Sequence, residues 1–252
     1  MPVKRFMKRI LRQFDYELVS LRTHYYADGM LTCHNPRFLR SPEFLDAYAR
    51  GVTASAGVDP KFHWRAHVAL WAARKAVSIE GDFVEAGVNA GFLSSAILHD
   101  LDWGSLKKTF YLIDTFSGPV LDQYSPEEIL YGRREIAREA IERQAYRTDL
   151  DQIRTNFAEW PNAVIVPGAV PDVLPTIGAQ RVAFLHIDMN CAYPEAETLR
   201  YFWHRLTPGG VVLFDDYVYV GNPAQGDAID AAARVLGAEV LALPTGQGLL
   251  IR

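Results

Sequence analysis

From Asp82 onward, short apolar runs alternate with stretches in which apolar residues recur at helical spacing. The runs are DFVEAG (82–87), TFYLID (109–114), AVIVPG (163–168), VAFLHIDM (182–189), GGVVLFDDY (209–217), AEVLALP (238–244) and GLLIR (248–252). Helical text lies between them over 91–101, roughly 126–159, 170–176, 194–206 and 224–236, the second of these long and polar. Strands that are apolar on both faces and alternate with helices predict a mostly parallel sheet covered on both sides, an α/β doubly wound fold. Only Thr245-Gly246-Gln247 joins the last two runs. That is too short for a helical crossover and predicts an antiparallel pair.

Upstream, residues 61–79 (KFHWRAHVALWAARKAVSI) predict a helix with Trp64, Val68, Trp71 and Lys75 along one face. Asn35-Pro36 marks a turn, and Ser41-Pro42-Glu43 has the cap, proline and acid of a helix start. Residues 1–20 set Lys4, Arg5, Lys8, Arg9 and Arg12 among Met7, Ile10, Leu11 and Phe14, a basic amphipathic helix. Two readings stand for it. Residues 1–14 lie on an anionic membrane surface, or the helix packs on the body or on a second subunit, making a homo-oligomer. The expected division is a helical extension (1–60) followed by one domain (61–252).

The composition narrows the class. The chain has 252 residues, 49% of them hydrophobic, which suits a globular protein with a sizeable core. With 26 Lys+Arg against 30 Asp+Glu the net charge is −4, which argues against a general nucleic-acid binder. No apolar run approaches the ~18–20 residues that span a bilayer, and the N-terminus lacks an apolar signal core. Cys33 and Cys191 make neither a disulfide framework nor a metal knuckle, which suits a reducing cytosol. A soluble, cytoplasmic protein is expected.

In a doubly wound sheet, ligands bind beyond the carboxyl ends of the strands. The first such turn is Glu85-Ala86-Gly87-Val88-Asn89-Ala90-Gly91. Its glycines let the backbone pass close to a ligand, and the helix starting near Gly91 offers free N–H groups. A dinucleotide turn of the G-x-G-x-x-G kind would need glycine where Asn89 and Phe92 stand, which weakens a nicotinamide reading. Glu85 repels phosphate and suits a cation, a hydroxyl or an ammonium group. That favours S-adenosylmethionine, with its sulfonium and amino-acid end. Asp114 closes the next strand, where the ribose hydroxyls of an adenosine cofactor would fall. A helix cap is the plainer role for it.

Asp188 ends the fourth run and Asp215-Asp216 the fifth. Three carboxylates on one sheet edge repel unless a cation or a proton compensates. Oxygen-only ligands point to Mg²⁺ or another hard divalent cation such as Ca²⁺ or Mn²⁺. Such a metal would lower the pKa of a substrate hydroxyl and hold its oxygen toward a methyl donor. Otherwise one aspartate caps the following loop and faces water.

GDFVEAGVNAGFLSSAI, LIDTFSG, FLHIDMNCAYPEAETLRYFWHRLTPGGVVLFDDY and LPTGQGLLI resemble the class I S-adenosylmethionine-dependent methyltransferases. More narrowly, they resemble the macrocin/mycinamicin sugar O-methyltransferases. The resemblance covers roughly residues 60–252. It implies a Rossmann-like, seven-stranded sheet with a final antiparallel strand. It places the cofactor at Glu85, Ala86, Gly87, Val88 and Asn89, with Gly91 opening the helix, and at Asp114, Thr115 and Phe116. The adenine end falls near Gly168 and Ala169, and Asp188 lies beside the donor. It also implies metal ligation by Asp188, Asp215 and Asp216, with Asp188 as the base. The acceptor would be a sugar, glycan or secondary-metabolite hydroxyl. Ser117 departs from the family, which usually has an acid there, and residues 1–60 have no match. The rival readings are a nicotinamide-dependent sugar oxidoreductase and a cofactor-binding subunit without turnover.

Three further features call for roles. Arg133, Arg134, Arg138, Arg143, Arg147 and Arg154 lie in 125–159, a lid over the acceptor or a solvated helix laced with ion pairs. Residues 120–150 are expected to be the most mobile internal segment. His63 and His67 read as packing above the cofactor, and Cys191 as a small core residue.

Overall fold

The structure, a computed structural model, describes residues 2–22, 24–146 and 149–252, with the backbone alone at 2–4. The apolar runs become β3 (Asp82–Ala86), β4 (Phe110–Asp114), β5 (Ala163–Pro167), β6 (Val182–Ile187), β7 (Leu206–Phe214), β8 (Leu241–Ala242) and β9 (Gly248–Ile251), after a hairpin of β1 (Tyr25–Ala27) and β2 (Met30–Thr32). The seven-stranded sheet runs in the order β5-β4-β3-β6-β7-β9-β8. Its first five members pair in parallel. β9 slots antiparallel between β7 and β8. The chain winds outward from β3 to β5, then restarts at β6 on the other side of β3. The carboxyl ends of β3 and β6 therefore form the switch point where such sheets open a crevice.

Helices cover both faces. α2 (Pro42–Ala54), α3 (His63–Ala76), α4 (Phe92–Asp100) and α7 (Leu150–Phe157) close one core around Phe83, Trp103, Phe110 and Phe184. α8 (Ala192–Trp203) and α9 (Pro223–Val235) close the other around Val84, Leu185, Val212 and Phe214. Every residue of β6 is buried, as expected for a central strand covered on both faces. α3 buries Ala66, Ala69, Leu70, Ala72, Ala73 and Ala76 and leaves Trp71 43% exposed. The side turned inward is thus the small one, which lets the helix lie close against β6 and β7.

Several expected elements are shorter. The polar region 126–159 is three helices, α5 (Pro126–Leu130), α6 (Arg133–Glu142) and α7, because Gly132 turns left-handed (φ +73°) and starts a new helix. The helix expected over 170–176 is a single 3₁₀ turn, Leu174–Thr176. The 238–244 strand keeps only Leu241-Ala242, at the sheet edge. Ser41 caps α2 as expected, accepting from the Phe44 amide, with Pro42 in the first turn. α1 (Pro2–Arg12) does not bury its apolar side on the chain: Phe6, Met7 and Ile10 are exposed, and Lys8 and Arg12 pair with Glu17. No described helix is long and apolar enough to cross a membrane.

Candidate active site

The glycine turn after β3 is built around one close approach. Gly87 has φ +96°, and a Cβ there would stand 1.6 Å from the Asp188 carbonyl oxygen. Only glycine lets the ends of β3 and β6 come this near. Asn89 takes φ +48°. Asparagine tolerates the left-handed region, so it does the conformational work of the missing second glycine. Asp114 then clamps the turn: Oδ2 accepts from the Val88 and Asn89 amides (2.7 and 2.8 Å), and Oδ1 from the Phe116 amide (2.7 Å).

Two clefts open on this edge. The first, about 680 Å³ including open solvent, is lined by Gly87, Asn89, Asp114, Thr115, Gly168 and Asp188, with Tyr146 reaching in from the segment after α6. The second, about 1120 Å³ including open solvent, is lined by Glu85, Gly87, Val88, Asn89, Asp188 and Asp215, and by apolar Phe62, Phe92 and Leu93. Gly87, Asn89 and Asp188 belong to both. Ala86, Gly91, Phe116, Ala169 and Asp216 line neither cleft. Ala86 is closed inside β3, and Gly91 caps α4 against Phe157.

A chain of charges lies beneath the second cleft. His186, wholly buried, meets Glu85 Oε1 at 2.9 Å through Nδ1, and its Nε2 stands 3.9 Å from Asp215 Oδ1. Burial disfavours the imidazolium, but Asp215 and Glu85 outweigh it and raise the pKa to about 10. Both carboxylates thus favour the protonated ring. Glu85 Oε2 is buried and finds no hydrogen-bond partner among the described residues. Arg65, on the first turn of α3, donates from Nη1 to Asp215 Oδ2 (2.7 Å) and Asp216 Oδ1 (2.8 Å), and from Nε and Nη2 to Asp28 (2.7 and 3.2 Å). Gln247 Nε2 donates to the remaining oxygen of Asp215 (2.9 Å). Burial opposes ionisation of Asp215, but His186 and Arg65 reverse this and hold its carboxyl below the usual range. Asp188 and Asp216 go the other way, raised by burial and by the charge of Asp215.

At the expected metal triad, two of the three carboxylates meet a cation of the chain itself. β7 stops at Phe214, so Asp215 and Asp216 lie on the bend beyond it, where both turn to Arg65. The compensating cation is a guanidinium. Asp188 accepts a hydrogen bond from Asn190 Nδ2 (3.2 Å) and feels the charges of both Asp215 and Asp216. Among the described residues no cluster of three or more His, Cys, Asp or Glu side chains is arranged to hold a metal ion. The residues do not fit a divalent cation.

The polar segment 125–159 is pinned at its base. Glu128 of α5, fully buried, accepts from Ser125 N and Oγ through Oε2 (both 2.9 Å), and from Ala192 N (2.9 Å) and Asn222 Nδ2 (3.2 Å) through Oε1. Glu195 stands beside it, accepting from the Met189 and Asn190 amides and from Gln225, its pKa pushed by burial to about 8. Arg138, Arg143 and Arg154 form the solvated pairs with Glu135, Glu139 and Asp151. Arg133 lies over the Tyr219 ring at 5.4 Å. Arg147 lies outside the described residues. His63 and His67 stack on Tyr48 and Phe38, aromatics of the N-terminal region. Cys191 is buried among Tyr124 and Ala137, a core residue as expected.

Arg65, Asp28, His186 and Gln247 were not legible as site residues, although signals existed. Asp28-Gly29 between two short apolar runs is the dipeptide of a two-residue hairpin turn, and both residues have positive φ. An arginine in a first helical turn opposes the helix dipole, and α3 has no acid there to answer it.

A doubly wound sheet whose last strand is inserted antiparallel, with a glycine turn at its switch point, defines the methyltransferase class of Rossmann-like folds. Solved structures agree. The O-methyltransferase NovP has a TM-score of 0.62 at 24% identity, over 75% of this chain and 79% of that one. CalS11, a calicheamicin methyltransferase, has 0.56 at 15% identity, over 94% and 98%. Residues 69–231 match the macrocin O-methyltransferase (TylF) family, and the chain belongs to it. It is similar to the mycinamicin III 3''-O-methyltransferase of Micromonospora griseorubida, 26% identical over 55% of this chain and 56% of that protein. It is also similar to the 8-demethyl-8-(2,3-dimethoxy-alpha-L-rhamnosyl)-tetracenomycin-C 4'-O-methyltransferase of Streptomyces olivaceus, 27% identical over 55% and 54%. The matched part thus spans about half the length of these curated relatives.

Proposed function

We propose that the chain transfers a methyl group from S-adenosylmethionine to a sugar hydroxyl on a secondary-metabolite or polysaccharide acceptor. The observation that carries this reading is the position of Asp188, on the rim common to a cleft with the features of a donor site and a second, apolar-walled one. Membership of an O-methyltransferase family supports the reaction, and the relative that methylates a rhamnosyl group supports the acceptor class.

The residues fit the donor. Glu85 Oε2 is an orphaned acceptor on the wall of the second cleft, beside the Gly87 that both clefts share, and is suited to the donor's ammonium group. Gly87 leaves room where a side chain would intrude. Asp114 and Thr115 would face the ribose and Gly168 the adenine end. When bound, the donor supplies a methyl carbon made electrophilic by a sulfonium.

Asp188 takes the acceptor hydroxyl proton as the oxygen–carbon bond forms and the carbon–sulfur bond breaks. The proton ends on the carboxyl, and the sulfur leaves as a neutral thioether. A carboxylate raised above the ordinary range is a stronger base, nearer the pKa such work requires. Phe62, Phe92 and Leu93 offer an apolar wall to the sugar ring. The remaining acceleration comes from holding the two reactants together. No step here is routed through a metal ion, since Arg65 engages Asp215 and Asp216.

The test is transfer of a labelled methyl group from S-adenosylmethionine to a panel of rhamnosylated acceptors. Label in the sugar, reduced at least ~10²-fold by Asp188→Asn, is the expected result. Equal label with the variant, or none from any sugar hydroxyl, contradicts the reading.

A further inference from the structure

We propose that Arg65 is the built-in cation of this site, holding the place between Asp215 and Asp216 that a divalent metal would need, so that the chain works without one. The inference deepens the methyltransferase reading, but its test is a binding measurement that stands independently.

Position comes first. Arg65 stands in the first turn of α3, where the helix dipole disfavours a positive charge. Its side chain is 15% exposed, and burial alone opposes its charge. Three carboxylates offset both costs: Asp28 from the hairpin turn, and Asp215 and Asp216 from the bend after β7.

Occupancy comes second. A metal joining Asp215 and Asp216 needs a free oxygen on each, facing a common point. Both Asp215 oxygens are already engaged, Oδ2 by Arg65 and Oδ1 by Gln247. Asp216 Oδ1 is held by the same Nη1. An incoming ion would have to displace Nη1 from both carboxylates. The buried guanidinium would then keep only Asp28 while facing a second cation, which is costly. Geometry also separates Arg65 from lysine: its planar fork serves Asp28 with Nε and Nη2 while Nη1 bridges the other two, which one ammonium cannot do.

The consequence is a division of labour. Asp215 and Asp216 are structural anions matched to Arg65 and His186, and Asp188 is left to face both clefts. Arg65 is a positioning residue, and through Asp28 it ties the N-terminal hairpin to the reaction edge.

The test is titration of Mn²⁺ against the native protein, Arg65→Met and Arg65→Met/Asp215→Asn, following the electron paramagnetic resonance of the free ion. The native protein should leave the free signal undiminished at millimolar Mn²⁺. Arg65→Met exposes the carboxylate pair, and affinity follows ligand charge. It should bind one ion at least ~10-fold more tightly than native, and the second substitution should remove that site. A native protein that binds one Mn²⁺ at a site removed by Asp215→Asn overturns the proposal. So does an Arg65→Met protein that binds no better than native. If Arg65→Met does not fold, the native titration and its Asp215→Asn control decide alone. Calorimetry with S-adenosylhomocysteine in EDTA, run beside it, separates the two readings. Absence of cofactor binding counts against the methyltransferase assignment and leaves the Mn²⁺ result standing.

Discussion

Asp188 owes its chemistry to its neighbours: burial and the charges of Asp215 and Asp216 raise its carboxyl, and His186 opposes them. Replacing it with Asn keeps the shape and removes the proton acceptor. Turnover should therefore fall at least ~10²-fold, while S-adenosylhomocysteine affinity measured by calorimetry should change by less than about threefold, under 1 kcal/mol. A parallel loss of both would make Asp188 a binding residue only. Gly87 is the other decisive residue on this edge. Gly87→Ala asks for a Cβ 1.6 Å from a backbone oxygen at positive φ. Urea unfolding should show a loss of more than about 2 kcal/mol, the range of strain and overpacking. A variant as stable as the native protein would mean that the strand ends separate easily. The glycine itself was legible in the sequence, as was the carboxylate closing β4. The clamp was not, because three amides presented to Asp114 are a property of two turns meeting.

Among the elements, the lid and its anchor carry the clearest expectation. The polar text of 120–150 reads as a mobile cover. Yet Glu128, inside that text, is a fully buried capping residue that also holds the start of α8. Glu128→Ala should free α5 and α6 from α8. Amide exchange over 125–142 should then rise at least ~10-fold while β6 is unchanged, the pattern of local opening. Equal exchange in variant and native protein would show that the lid is held elsewhere. The sheet strands were readable because burial on both faces leaves continuous apolar runs. The break at Gly132 and the loss of most of 238–244 were not. The first depends on a left-handed glycine inside helical text, the second on the strand lying at an edge where few partners hold it. The side of α3 facing the sheet was also hidden, since alanines signal close packing only once the sheet is in place.

At the scale of the molecule, the two cores support one acidic edge whose charges are balanced internally by Arg65 and His186. This balance has a pH signature. His186 binds its proton up to about pH 10 when folded and to about 6.5 when unfolded. Its contribution to stability is therefore complete below about 6.5 and is lost as pH rises toward 10. Melting temperature should fall across that window, and His186→Gln should flatten the decline. One proton accounts for a slope of at most about 1.4 kcal/mol per pH unit. An identical slope in variant and native protein would mean that His186 is neutral when folded. The need for a cation on this edge followed from three aspartates at strand ends. That the chain supplies it was hidden, because Arg65 and Asp28 lie 150 and 187 positions before Asp215 in a region of mixed text.

We read the edge holding Glu85, Gly87 and Asp114 as a donor site, and calorimetry with S-adenosylhomocysteine tests this. One molecule per chain should bind in the micromolar range, about −8 kcal/mol. Asp114→Ala, which loses the clamp and the carboxylate on the cleft wall, should weaken binding by about 1–3 kcal/mol. No heat from the native protein at millimolar ligand, or an unchanged affinity in Asp114→Ala, would contradict the account.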